Sequence, residues 1–283
     1  MKEGKKKMTT IALVGAGGKM GNRLTDNLKD SKYDMLYVEI SETGIERLAQ
    51  KNLTVTPLSD AAGMADVVIL AVPDVAIAKV SAGVVPQMKP RSMLILLDPA
   101  AAYAKHLPDR QDISYFITHP CHPPVFNDET APEARADLFG GIAAKQSIVC
   151  ALMQGPETDY AKGEEIARTF YKPILRAHRV TVEQMATLEP TMAETVLGTC
   201  AIVLKEAMDA AVRRGVPEEA ARDFMLGHIN TILASVFGVS GSPLSDAALV
   251  AIEYGKERIL QPNWLDVFET EKLDESIELM LKA

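Results

Sequence analysis

The sequence predicts an α/β domain with a doubly wound parallel sheet, followed by an all-α domain. Three observations predict it. Short apolar runs alternate with helical patterns as far as Arg179. Several of those runs are apolar at nearly every position, as strands covered on both faces must be. Beyond Val182 strand signals fade and helical periodicity takes over, so the expected boundary divides 1–179 from 180–283.

The elements follow in order. Ile11–Val14 reads as the first strand and Lys19–Lys29 as the helix after it. Met35–Glu39 is a second strand, backed by a helix over Thr43–Lys51. Ala65–Val72 is a near-continuous apolar run stopped by Pro73, and Ser92–Leu97 is another, stopped at Asp98-Pro99. Ile113–Thr118 and Ser147–Leu152 read as further strands, with a helix over Thr158–Tyr171. In the second domain Thr191–Arg214 is apolar on nearly every side, which marks the buried centre of a domain or a subunit interface. Gly215 stops it after a basic pair. Further helices are expected over Ala220–Phe237, Leu244–Leu260 and Glu271–Lys282.

Between the first strand and its helix lies Gly15-Ala16-Gly17-Gly18-Lys19-Met20-Gly21. A strand running into glycines and then a helix start suits a pyrophosphate. Glycine leaves no Cβ in the way, and the helix end offers N–H groups and a positive dipole. The spacing departs by one residue from the usual dinucleotide fingerprint, and the string also reads as a glycine at every third position. Its context makes it a Rossmann-like site. Glu39 ends the second strand about 20 residues on, where a carboxylate accepts from the adenosine ribose hydroxyls. Ile40-Ser41-Glu42 offers no cation for a 2′-phosphate, so NAD is expected rather than NADP. The alternative is that Glu39 is a solvated strand end. Val72, Pro73 and Asp74 close a strand where the chain passes the nicotinamide ribose in such folds.

Composition narrows the function class. The 283 residues are 47% apolar and carry a net charge of −8, which argues against a nucleic-acid partner. No apolar segment of about 20 residues is present to span a bilayer. Met1–Lys7 reads as a solvated tail. Cys121, Cys150 and Cys200 are far apart without a C-x-x-C pair, as in a reduced cytoplasmic protein.

Hydride chemistry needs a proton acceptor and often a cation on the substrate oxygen. His119-Pro120-Cys121-His122-Pro123-Pro124 follows a strand and so lies at the carboxyl end of the sheet. The prolines stiffen that loop, and its histidines either act on substrate or cap backbone groups. Glu189-Pro190-Thr191-Met192-Ala193-Glu194 opens the apolar helix, with Thr187, Thr191, Glu194 and Gly198 forming a polar stripe. Glu189 serves either the helix dipole or a site; Glu194 is costly beside so apolar a helix unless paired or metal-bound. His119 with Glu189 and Glu194 is a reasonable shell for Zn²⁺ or Mg²⁺. Lys205 pairs most simply with Asp209 at the surface. His228 is either a satisfied core or interface histidine, or completes the site from a partner subunit.

These residues resemble the 6-phosphogluconate dehydrogenase-like superfamily, on the Gly15–Gly21 string, the Ala65–Pro73 strand and the long helix of an all-α second domain. Its lysine-then-asparagine signature is not met, since Asp209 stands after Lys205. The stretches Ala193–Gly198 and Leu204–Ala207 are similar to ketol-acid reductoisomerases, which carry metal-binding carboxylates at this helix start. Glu194 matches one of them, Glu189 is one residue out of register, and the loop lysine of that family is replaced by Cys121. The strongest overall likeness is to the D-apionate oxidoisomerases. It implies an NAD-linked oxidation of a branched hydroxy acid with a carbon shift.

The expectation is an NAD-dependent oxidoreductase for a small polyhydroxy acid, assisted by a divalent metal, with His119, Glu194 and His228 as catalytic candidates. A metal-independent hydroxyacid dehydrogenase with His119 as general base is the first alternative, and a non-enzymatic NAD sensor the second. The apolar Thr191–Arg214 helix points to a homodimer through the helical domain.

Overall fold

The computed structural model describes residues 8–282, so the expected tail at Met1–Lys7 lies outside the described residues. The chain forms two compact units. One runs to Ala186 and takes in the segment from Ile277 onward; the other is Thr187–Ser276.

In the first unit the order is β1 (Thr10–Val14), α1 (Lys19–Leu28), β2 (Asp34–Val38), α2 (Glu42–Gln50), α3 (Leu58–Met64), β3 (Val67–Leu70) and α4 (Asp74–Val84). It continues with β4 (Met93–Leu96), α5 (Ala100–Tyr103), β5 (Ser114–Pro120), α6 (Pro132–Ala136), β6 (Gln146–Gln154), α7 (Thr158–Phe170), β7 (Ile174–Arg179) and α8 (Val182–Ala186). The seven strands lie in the order β2-β1-β3-β4-β5-β6-β7. The first five run parallel, β6 is antiparallel to β5, and β7 is parallel to β6. The doubly wound sheet is therefore as expected except at this edge. There β6 returns antiparallel after a long connection that holds only the short α6, and β7 lies where the sequence predicts no strand. β7 mixes Arg176, His178 and Arg179 with apolar residues and has no buried position, which is why it lacks the continuous apolar signal of a buried strand.

All residues of β3 and β4 are buried. Their alternate residues Val67, Ile69, Met93 and Ile95 face a core shared with Leu24 and Leu28 of α1 and Ile166 and Phe170 of α7, and with Ile11, Leu13, Phe116 and Ile148. Fully burying side chains of this kind contributes about 1.5–3 kcal/mol each. That packing fixes the register Val14↔Leu70, Leu70↔Leu96 and Leu96↔Ile117, so β1, β3 and β4 end at one level while β5 runs on to Pro120.

The second unit opens with a π-helical segment, Thr187–Gly198, followed by α9 (Thr199–Arg213), α10 (Glu218–Val236) and α11 (Asp246–Ile259). A last helix, α12, spans Thr270–Met280. Pro190 lies inside the π-helical segment. It has no N–H to give and its ring clashes with the carbonyl four residues back, so the ladder widens rather than staying α-helical. The Thr195 hydroxyl accordingly donates to the Pro190 carbonyl, five residues back, at 2.8 Å. Of the two readings of Thr191–Arg214, the buried centre of its domain is corrected, and the subunit interface is left. No residue of α9 is buried, and Leu197, Ile202, Val203 and Leu204 are exposed. A short unit of three main helices has too little interior to cover a helix that is apolar all round.

Candidate active site

The glycine turn is shaped by contact. Gly15 has φ +79, and a Cβ there would overlap the Ala71 carbonyl just past β3. A Cβ on Gly21 would strike the Gly15 carbonyl, and one on Gly17 would strike Gly44 of α2. The irregular spacing is thus explained. Gly15, Gly17 and Gly21 are each pressed against backbone, whereas Gly18 is the N-cap of α1. No side chain caps that helix, in contrast to α2, where Ser41 accepts from the Gly44 N–H. The uncapped start of α1 at Lys19, Met20 and Gly21 thus presents the donor end of a helix beside the point where strand order reverses between β1 and β3. Val72 and Pro73 bring β3 out beside the same turn, and Asp74 begins α4.

Glu39 is no idle strand end. Its carboxylate accepts from the Gly17 N–H at 2.9 Å, from Ile40 and Ser41 N–H at 2.8 and 2.9 Å, and from the Ser41 hydroxyl at 3.0 Å. Burial pushes its pKa up, but the bonds from Ser41, Ile40 and Gly17 outweigh it and hold the group below its ordinary value. Arg47, about one turn along α2 from Gly44, donates to the Gly17 carbonyl at 2.8 Å. Only the fold brings that cation to the turn, since the residues directly after Glu39 contain none.

On the same edge, Asp98 stands two residues beyond β4 and His119 two residues beyond the register pair Leu96↔Ile117. A carboxylate oxygen of Asp98 and a ring nitrogen of His119 lie within 4.8 Å of each other. Asp98 is buried, and its Oδ1 accepts from the Ala100 N–H at 2.7 Å. His119 is the first residue of β5 to emerge after five buried positions. Its Nδ1 lies 2.8 Å from the Pro120 carbonyl. A carbonyl only accepts, so Nδ1 bears the proton and Nε2 the lone pair. Desolvation, and secondarily the charge of His122, drives the His119 pKa down to about 4, with the Pro120 bond opposing. At neutral pH the ring is a neutral donor of electrons. Asp98 was missed as a candidate; its signal was an acid closing a buried strand directly before proline.

The remaining predicted residues lie in the helical unit. Glu189 is half-buried and Glu194 exposed on the π-helical segment. Bonding from i to i+5 brings residues five apart nearer to one face than α-helical spacing would, yet the two carboxylates differ in burial. His228 is exposed in α10; its Nδ1–H donates to the Phe224 carbonyl at 2.8 Å and its ring stacks on Phe224 at 3.9 Å. That overturns the core-histidine alternative. Lys205 bonds Asp209 at 2.6 and 2.7 Å in the open, as a surface pair.

Among the described residues no helix is long and apolar enough to cross a membrane. Two family models match in succession. That for the NADPH-binding domain of acetohydroxy acid isomeroreductase covers residues 5–123, and that for the C-terminal part of decarboxylating phosphogluconate dehydrogenase covers residues 127–281. The D-apionate oxidoisomerase of Rhizobium rhizogenes is 53% identical over 272 residues, spanning 96% of this chain and 99% of that protein. The D-apionate oxidoisomerase of Cupriavidus necator is 54% identical over 268 residues, spanning 94% and 97%. A crystal structure described as a semialdehyde dehydrogenase NAD-binding protein from Cupriavidus necator, in complex with calcium and NAD, is 52% identical with a TM-score of 0.95. It covers 97% of this chain and 100% of its own. With identity of this order along nearly its whole length, the chain belongs to the D-apionate oxidoisomerase family and is an NAD-dependent oxidoreductase.

Proposed function

We propose that the protein oxidises a small branched polyhydroxy acid of the D-apionate type, using NAD in preference to NADP, with the oxidation coupled to a shift of the carboxylate-bearing carbon. The observation that carries this reading is the pairing of Asp98 and His119 at the edge where the glycine turn and β3 end. The names of the relatives at 53% and 54% identity support the substrate class.

The donor set suits a divalent metal. A neutral imidazole and a buried carboxylate from Asp98 are joined in the proposal by Glu189 or Glu194. Glu189 follows Ala186, the last residue of the α/β unit, by three residues, each adding at most about 3.6 Å of reach. Zn²⁺ or Mg²⁺ fits such ligands, and the crystal structure from Cupriavidus necator holds calcium alongside NAD. When bound, the metal supplies Lewis-acid polarisation to the substrate's hydroxyl and carboxylate oxygens. The chain's own residues do the rest. The Ala100 N–H fixes Asp98, the Pro120 carbonyl fixes the His119 tautomer, and the α1 start and Glu39 hold the dinucleotide.

A metal-independent dehydrogenase with His119 as general base is the alternative, and it predicts turnover that survives a chelator. The glycine-turn domain, 1–179, carries the cofactor in this proposal, and 180–283 carries substrate contacts and dimerisation. A second copy covers the exposed Leu197, Ile202, Phe224, Val236 and Val250, and His228 then completes the site from the partner subunit. Three free cysteines accord with a reduced cytoplasmic setting. The test is turnover of D-apionate with NAD before and after dialysis against a chelator, for the native chain and for His119→Ala and Glu194→Gln. Loss on chelation with recovery on added metal is expected. Chelator-resistant turnover, or full activity in both variants, overturns the mechanism.

A further inference from the structure

His122 stands beside His119 in a conformation that the fold goes to some length to maintain. Its backbone φ is +59, a region costly for most side chains. Its Nδ1–H donates to the Phe139 carbonyl at 2.9 Å. The imidazole meets two rings edge-on: His119 at 6.0 Å and 89°, and Phe139 at 5.8 Å and 89°.

Phe139 is itself braced by α1. Lys19 and Arg23, one helical turn apart, each lie 5.0 Å from its ring centroid. Arg23 also donates to the Gly140 carbonyl at 3.2 Å, and Asn27 to the Gly141 carbonyl at 2.8 Å. A continuous chain of contacts thus runs from the cofactor-binding helix through Phe139 and His122 to His119.

A hydrogen bond at Nδ1 sets the tautomer of His119 but leaves the ring plane free to tilt about that bond. A perpendicular ring pressed against it removes the tilt. We infer that His122 is a positioning residue, whose ring, held by Phe139, keeps the His119 imidazole in a single orientation and so keeps its Nδ1–H on the Pro120 carbonyl that sets the tautomer. This rests on the reading of His119 as a site residue. Geometric tolerance at such a centre is tight: a displacement of about 1 Å costs on the order of 100-fold in rate.

Two variants of the full chain separate ring from hydrogen bond. His122→Asn tolerates the left-handed backbone and can still donate to the Phe139 carbonyl, but removes the ring. His122→Phe keeps a ring and removes the donor. With D-apionate and NAD as probes, His122→Asn should lose about 10- to 100-fold in kcat with little change in either KM. His122→Phe should recover most of that loss. The ¹⁵N imidazole signals of His119 should report one tautomer in the native chain and in His122→Phe, and averaging in His122→Asn. Native kcat and a single tautomer in His122→Asn would overturn the inference. So would equal losses in both variants accompanied by an equal fall in Tm, which would make His122 a loop stabiliser. Full activity in His119→Ala would sink the proposed mechanism instead, and the imidazole signals would then decide the positioning role alone.

Discussion

Replacing Glu39 with glutamine should loosen NAD and narrow its margin over NADP. In the structure the carboxylate is anchored by donors from Gly17, Ile40 and Ser41, which hold it ionised at the end of β2. In the proposed function it accepts from the ribose hydroxyls of a dinucleotide on the glycine turn. Charge-assisted hydrogen bonds are about twice as strong as neutral ones, so an amide in its place forfeits about 0.5–1.5 kcal/mol for each of two ribose hydroxyls. The sum, about 1–3 kcal/mol, is a loss of about 5- to 150-fold in NAD affinity. NADP should lose less or gain, because its 2′-phosphate no longer meets a carboxylate while Arg47 remains nearby. One amide oxygen cannot serve all the present donors. At least one N–H loses its acceptor, at about 1 kcal/mol, lowering Tm by about 2–4 °C. Fluorescence titration with NADH and NADPH at neutral pH, alongside a thermal melt, measures both. An unchanged ratio of the two affinities, with the Tm fall still present, would show that Glu39 serves only to tie the turn together.

The remaining predictions concern the turn, the histidine and the helical unit. Gly21→Ala should abolish NAD binding in isothermal titration, because its Cβ would collide with the Gly15 carbonyl and force the turn open. His119 has its folded pKa depressed to about 4 from an unfolded value of about 6.5. Between those values the unfolded chain binds more protons, so stability falls as pH drops from 6.5 toward 4. Thermal melts of metal-free His119→Asn should show a shallower loss across that window, and an unaltered pH slope would refute it. Sedimentation velocity should give a dimer of the 30.7 kDa chain, with Ile202→Asp shifting it toward monomer; a native monomer would remove the proposed partner contact.

The residues that made the fold legible are those whose signal is local. Ile11–Val14 before glycines, Val67–Leu70 stopped by Pro73, and Met93–Leu96 stopped before Asp98 are apolar runs whose burial on both faces leaves no polar positions. Pattern alone therefore marked them, and the glycine turn and Glu39 with them. β7 carries no such signal because a largely exposed edge strand keeps charges. Nor does the π-helical segment, because one proline changes hydrogen-bond spacing without changing composition.

The sequence by itself determined a doubly wound α/β unit with a dinucleotide turn and a helical unit rich in apolar residues, since those depend on periodicity and on glycine's missing Cβ. Tertiary structure decided the rest. Asp98 reaches His119 only through the register of β4 against β5, Arg47 reaches Gly17 only through the packing of α2 on the turn, and His122 is braced only because α1 grips Phe139. Those contacts join residues far apart in the chain, and no local pattern records which side chains a packed sheet will bring to the same edge.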